Sequence, residues 1–261
     1  VAELHRWERL AARGKAAAGP LVVFVVIVGL WEATVRLLAI PQYMLPAPSA
    51  IAMSFEGNMS ELIANGWATL WAALLGYLLG NGFALVMAGL MAEFAPVERA
   101  LYPWMLALRA VPSVALAPLL LIWIGFNIWP IVITAALICF FPTLVNAIDG
   151  FKATDAVTLE LMRGLNASRW SVFWRVKLRY SLPNLFSAFK ISVASALIGA
   201  VVGEWISSEK GLGYMTVVAS KYVDTLMLFR AIIGVTVIAL VWFFVTIMIE
   251  RRALRWRQVG R

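Results

Sequence analysis

The chain has 261 residues, of which 62% are hydrophobic and 14% charged, with a formal net charge of +8. A soluble domain is nearer half apolar and a quarter charged, so the composition excludes an ordinary water-soluble fold. The positive charge does not mark a nucleic-acid face, because it is sorted along the sequence. Arg6, Arg9, Arg13 and Lys15 precede the first apolar run; Lys152, Arg163, Arg169, Arg175, Lys177 and Arg179 share one polar stretch; and Arg251, Arg252, Arg255, Arg257 and Arg261 close the chain. Residues 39–66 hold no Lys or Arg. This asymmetry is what the positive-inside rule produces in a membrane protein.

The apolar runs are continuous rather than alternating, so they read as helices and not as the strands of a β-barrel. Helix one is predicted over 19–38. It follows a basic stretch, but it is too long for a signal-peptide core and lacks a small-x-small cleavage site, so it reads as a retained span. Residues 41–66 carry Glu56 and Glu61 without basic partners and are placed outside. Helix two is predicted over 67–91 and contains Gly76-x-x-x-Gly80, a spacing that lets helix backbones approach closely in a membrane. A short inside turn at 93–99 leads to helix three, over 100–124, which Pro103, Arg109, Pro112 and Pro118 interrupt. Prolines remove backbone hydrogen bonds and kink a helix. Such breaks are tolerated in a bilayer where protein or a water-filled cavity surrounds them.

After an outside turn at 125–127, helix four is predicted over 129–148. Helix five follows Pro183 and runs to about Trp205. It carries two adjacent rows of small residues, Ser192, Ala196 and Ala200 beside Ser195, Gly199 and Gly203. Such a face belongs in the middle of a bundle. Residues 206–226 return outside, and helix six covers 228–249. The reading is an all-α membrane protein of six transmembrane helices with both termini inside. Cys139 is the single cysteine and lies in an apolar run, so it reads as a small buried hydrophobe; His5, in the N-terminal tail, is assigned no role. The sequence has no Walker-type GxxxxGK[ST], no HExxH and no dinucleotide fingerprint.

The basic stretch 149–182 is the most informative. Asp155 is placed to cap a first short helix ending near Leu165, and Ser168 a second from Arg169 to about Leu178, since their side-chain oxygens accept from free N–H groups of a first helical turn. Asn166 lies between them, where a left-handed residue ends the first helix; Gly is usual there and Asn next. The pair reads either as a rigid helix–turn–helix knob at the membrane face or as an amphipathic loop lying on anionic lipid.

Here the sequence resembles the transmembrane permeases of type I ABC importers. Their pattern is Glu-Ala-Ala, three residues, Gly, a second short helix and Leu-Pro. Glu160 matches the Glu and Leu182-Pro183 the Leu-Pro, while Leu161, Met162 and Asn166 replace the two alanines and the glycine, and Arg179 stands where close relatives often have a further proline. The resemblance covers about 45–252 and looks closest to the branch for nitrate, taurine, alkanesulfonates and thiamine-precursor pyrimidines. It is carried by Leu45-Pro46-Ala47-Pro48-Ser49, by Ala107-Leu108-Arg109-Ala110-Val111-Pro112 through Ala117-Pro118 to Gly125, and by Gly203-Glu204 followed by Gly211-Leu212-Gly213-Tyr214.

What the resemblance implies is a type I ABC importer permease fold: one transmembrane domain over 1–261, with tails 1–18 and 251–261 and a coupling loop 150–182 on the cytoplasmic side of a bacterial inner membrane. Two permease copies, as a homodimer, would surround one pathway. A cytoplasmic ABC ATPase dimer would grip the two knobs, and an external or periplasmic binding protein would deliver substrate. This chain would then be a pore subunit and not an enzyme, with no cofactor of its own and with ATP and Mg on the ATPase. Membrane lipid is its other partner; nucleic acid is not one. The ATPase-coupling residues expected on this basis are Glu160, Arg163, Asn166, Ala167, Ser168, Arg169 and Trp170. Candidate pathway or gate residues are Arg109, Pro112, Ser195, Gly199 and Glu204. An ionisable residue such as Glu204 among small residues at a helix end either borders the pathway or sits solvated at the interface; Lys190, Arg109 and Arg230 carry the same ambiguity. The favoured cargo is a pyrimidine-type vitamin precursor, with taurine, alkanesulfonate or nitrate as runners-up. A secondary transporter is the alternative of another class, although no internal repeat of the kind common in that class is visible.

Overall fold

The computed structural model describes residues 2–255; Arg257 and Arg261 lie outside them, as do the side chains of residues 2–18, His5 among them. Every regular element among the described residues is helical. In chain order they are α1 Ala2–Leu37, α2 Pro48–Met53, α3 Met59–Glu93, α4 Ala95–Arg109, α5 Ser113–Ile124, α6 Trp129–Lys152, α7 Ala156–Gly164, α8 Arg169–Val172, a π turn Phe173–Lys177, α9 Leu178–Ser207, α10 Leu212–Tyr222 and α11 Thr225–Ala253. Among the described residues, four stretches are long and apolar enough to cross a membrane: Met59–Glu93, Trp129–Lys152, Arg169–Ser207 and Thr225–Ala253. Helix one is α1, continuous from the basic tail into the apolar run.

Several sequence expectations are adjusted. Helix three is split at Ala110–Pro112 into pieces of 15 and 12 residues, each short of the roughly 20 that span hydrocarbon. Pro112 is the reason: it lacks an N–H and biases the residue before it away from helix. The inside turn expected at 93–99 shrinks to Phe94 alone, and α3 begins at Met59. The return expected outside at 206–226 contains a helix of its own, α10. Helix five does not wait for Pro183. It continues from α8 through the π turn, with Pro183 inside α9. The carbonyl that this proline leaves without a helical partner is that of Arg179, an exposed residue, where water can satisfy it.

The chain divides into two units, Val1–Met59 with Ala219–Arg230, and Ser60–Val218 with Ala231–Arg261. In the first, the Leu45–Ser49 motif builds the start of α2. Pro48 takes the first helical position, where its missing N–H costs nothing. Ser49 donates its N–H and hydroxyl to the Glu32 carboxylate of α1 at 3.0 and 2.7 Å, and Arg36 donates to the same carboxylate at 2.5 Å. At the other end of α2, buried Arg230 donates to the Ser54 carbonyl at 3.1 Å, a cation at a helix C-terminus.

In the second unit α6 is the central element, with α3 and α9 against it. Ideal side-chain β-carbons at Gly76 and Gly199 would stand 2.5 Å from Ala135, and one at Gly80 would strike the Ala136 carbonyl. The backbone of α6 near 131–136 is therefore gripped by glycines from both neighbours. In lipid this contact replaces the hydrophobic drive that water supplies. Deeper along the same seam is a buried polar chain. Thr143 of α6 donates to the Asn81 amide oxygen of α3, and it meets Ser192 of α9 at 2.7 Å. Because the Thr143 proton goes to Asn81, Ser192 is the donor of the second bond. Cys139 is buried and donates to the Ser192 carbonyl at 3.4 Å.

Candidate functional site

The knob is built from local chemistry. The Asp155 carboxylate accepts the Thr158 N–H at 3.3 Å and caps α7; the Ser168 hydroxyl accepts the Ser171 N–H at 3.3 Å and caps α8. Between them Asn166 adopts φ 53°. The Asn166 N–H reaches the Arg163 carbonyl at 2.9 Å and the Ala167 N–H the Met162 carbonyl at 3.0 Å. That pair of bonds is a Schellman termination, which needs the left-handed residue between them. Glu160, Arg163, Asn166, Ser168 and Arg169 are exposed, Ala167 is half-buried, and Trp170 keeps 64% of its surface open. Leu161 and Leu165 are also exposed, so this small polar element presents an unusually apolar face.

The knob is rooted, not floating. Just beyond α8 the buried Phe173 ring packs 5.2 Å from Phe151 of α6, and it leaves only 3.3 Å for a side chain at Gly89 of α3. Lys177, at the end of the π turn, pairs with Glu93 at the end of α3 at 2.6 Å, with both side chains mostly buried. Asn81, Glu93 and Thr143 were not singled out from the sequence. The only signal for them is a polar residue inside or at the end of an apolar run, which does not name its partner.

The pathway candidates do not form one group. Arg109 ends α4 and Pro112 precedes α5, both exposed. The Ser195 hydroxyl donates to its own helix at Ile191, 3.2 Å away. Gly199 is buried against Ala135. Lys190 is paired with Glu250 of α11 at 2.8 Å, which accounts for its place in an apolar helix.

Glu204 is neither solvated nor open: it is 1% exposed. Its carboxylate accepts the Thr69 hydroxyl at 3.1 Å and the Gly213 N–H at 2.7 Å, both on Oε2. The surrounding bonds extend the cluster, with Thr69 accepting the Leu212 N–H at 2.8 Å and Asn65 the Gly211 N–H at 2.8 Å. A side chain at Gly211 (φ 113°) or Gly213 would collide with this carboxylate. The sequence pairing of Gly203-Glu204 with Gly211-Leu212-Gly213 thus has a physical basis. Beside it lies a cavity of about 580 Å³, lined by Trp67, Trp71, Asn127, Ser207, Lys210 and Glu204 among others. At 1% exposure Glu204 is part of its wall and not a free carboxylate within it.

The chain is similar to known proteins over most of its length. Residues 80–257 match the family described as the binding-protein-dependent transport system inner membrane component. The chain is 32% identical to the formylaminopyrimidine transport permease protein ThiX of Halalkalibacterium halodurans, over 94% of this chain and 98% of that one. It is 33% identical to the riboflavin transport system permease protein RibX of Chloroflexus aurantiacus, over 92% and 90%. It is 32% identical to the putative aliphatic sulfonates transport permease protein SsuC of Bacillus subtilis, over 91% and 87%. Its fold is similar to a chain of the inward-facing MetNI methionine ABC transporter, with a TM-score of 0.66 and 17% identity over 76% of this chain and 98% of that one. A chain whose described residues form helices and no strand, four of them full-length apolar spans, and which matches this family over most of its length, is a multi-pass inner-membrane permease of the ABC importers for small nutrients: it belongs to the binding-protein-dependent transport system inner membrane components.

Proposed function

We propose that two copies of this chain form the translocation pathway of an importer for a small nitrogen-heteroaromatic nutrient, and that Glu160 through Trp170 dock a cytoplasmic ABC ATPase. In this reading α1 and the broken α4–α5 pair complete six spans, and both termini lie in the cytoplasm with the knob. The observation that carries the docking role is the knob itself. It is a capped helix–turn–helix, exposed and apolar at Leu161, Leu165 and Trp170, yet tied to α3 and α6 through Phe173 and Lys177. A surface meant only to lie on lipid does not need a rigid root in two membrane helices. Force applied to the knob reaches α3, α6 and α9 directly. For transport, nucleotide and substrate must each favour different states of that assembly.

The heteroaromatic cargo is supported by the names of two relatives, whose ligands are a formylaminopyrimidine and riboflavin. A sulfonate is the second reading, supported by the Bacillus subtilis relative. The test has two parts. Copurification of the chain from its native membrane identifies whether an ABC ATPase accompanies it, and the Glu160→Ala/Trp170→Ala double variant is expected to lose that partner while remaining membrane-inserted. Mass spectrometry of the ligand carried by the cognate binding protein then decides the cargo. An ATPase retained by the double variant refutes the docking surface; an aliphatic sulfonate as ligand refutes the heteroaromatic reading.

A further inference from the structure

We propose that Glu204 is a positioning residue for transport: it is the N-terminal cap of α10, supplied from α9, and it holds the wall of the outer cavity instead of touching what passes through. The carboxylate faces the first turn of an 11-residue helix, where the N–H groups at the second and third helical positions have no helical partner. It takes the first of these, Gly213, at 2.7 Å. The partial positive charge of the helix N-terminus offsets the carboxylate, and no Lys or Arg pairs with it among the described residues. Thr69 completes the clasp by donating to Glu204 and accepting from Leu212, so α3, α9 and α10 meet at one buried group.

The clasp has a consequence for the neighbouring loop. Ser208, Glu209 and Lys210 line the cavity. They hang between Ser207, whose hydroxyl is bonded to the Gly203 carbonyl at 2.8 Å, and Gly211, whose N–H is bonded to Asn65. Both anchors flank Glu204. Removal of the cap frees one end of this loop and, with it, that side of the cavity. A residue that contacts cargo needs open surface, whereas Glu204 is 1% exposed, with Thr69 and Gly213 both bonded to its Oε2.

The cap is tested by thiol protection, which does not depend on transport. Met215 on α10 is 1% exposed, and the one native cysteine, Cys139, is buried. In membranes bearing Met215→Cys, maleimide labelling of the introduced thiol is expected to be slow. It is expected to rise about tenfold or more with Glu204→Ala, which leaves the Gly213 N–H unsatisfied. It should stay near the starting rate with Glu204→Gln, whose amide oxygen still accepts. Thr69→Val gives an intermediate rise and serves where Glu204→Ala does not reach the membrane. Equal labelling of the Met215→Cys protein and its Thr69→Val derivative, or a Gln variant as reactive as the Ala variant, overturns the cap. Its effect on uptake rests on the importer reading. There Glu204→Gln is expected to keep the KM for cargo and most of the maximal rate, and a KM raised tenfold or more by Gln alone (a loss of about 1.4 kcal/mol in binding) would assign Glu204 to the cargo instead.

Discussion

The knob at Asp155–Val172 and the clasp at Glu204 are both polar devices in an apolar protein, but they are built in opposite ways. The knob is made of neighbours. Its capping and turn bonds span three to five residues, and most of its side chains face outward. The clasp is made of strangers: Thr69 and Glu204 are 135 residues apart, and both are buried. A surface that must be recognised is free to be local and exposed. A joint that must hold three helices in one geometry has to be buried, where an unmade hydrogen bond is costly. The two devices sit on one frame, the α3–α6–α9 seam gripped by Gly76, Gly80 and Gly199.

The largest expected effect breaks that frame and silences both devices together. Gly199→Val places a branched side chain where even a β-carbon comes within 2.5 Å of the Ala135 backbone. Overpacking of this kind costs about 1–3 kcal/mol or more, and in detergent the variant should show a lowered melting temperature or fail to accumulate. Next in size is a variant that loosens the clasp alone. Thr69→Val removes a buried donor and acceptor while keeping the side-chain shape, and should cost on the order of 1–3 kcal/mol without altering ATPase copurification. At the knob, Asn166→Ala forces alanine into the left-handed region and should cost about 1 kcal/mol, read as lost ATPase association with the membrane bundle intact. Asn166→Gly should preserve that association. The smallest effect is Lys152→Ala. Its pair with Glu98 is 2.5 Å long but substantially exposed, so less than about 1 kcal/mol is expected, and a larger loss would mean that this end of the bundle depends on more than the knob's own roots.

The contrast also explains what was legible in the sequence. Asp155, Asn166 and Ser168 announced their roles because capping is decided within a few residues, and the observed caps and left-handed turn fall where those residue types place them. The small-residue rows of helices two and five announced close packing, although not that α6 is what they grip. The clasp was only half visible: Glu204 followed by Gly211-Leu212-Gly213 could be seen, but not its burial, and Asn65 and Thr69 gave no signal, because their roles depend on which helix end the fold brings alongside. The same limit hid Glu250, the partner of Lys190, and Glu93, the partner of Lys177. The π turn and the run of α9 through Pro183 went unread because they depend on where an unpaired carbonyl finds water, which pattern alone does not state.

The most direct measurement is ATP-driven uptake by proteoliposomes holding the chain, its copurifying ATPase and the cognate binding protein. Wild type is to be compared with the Glu160→Ala/Trp170→Ala double variant at matched insertion and matched melting temperature. Uptake and ATPase association should both be lost by the double variant while the Met215→Cys thiol stays protected. Wild-type uptake by the double variant would contradict the knob as the point where the ATPase grips the membrane helices.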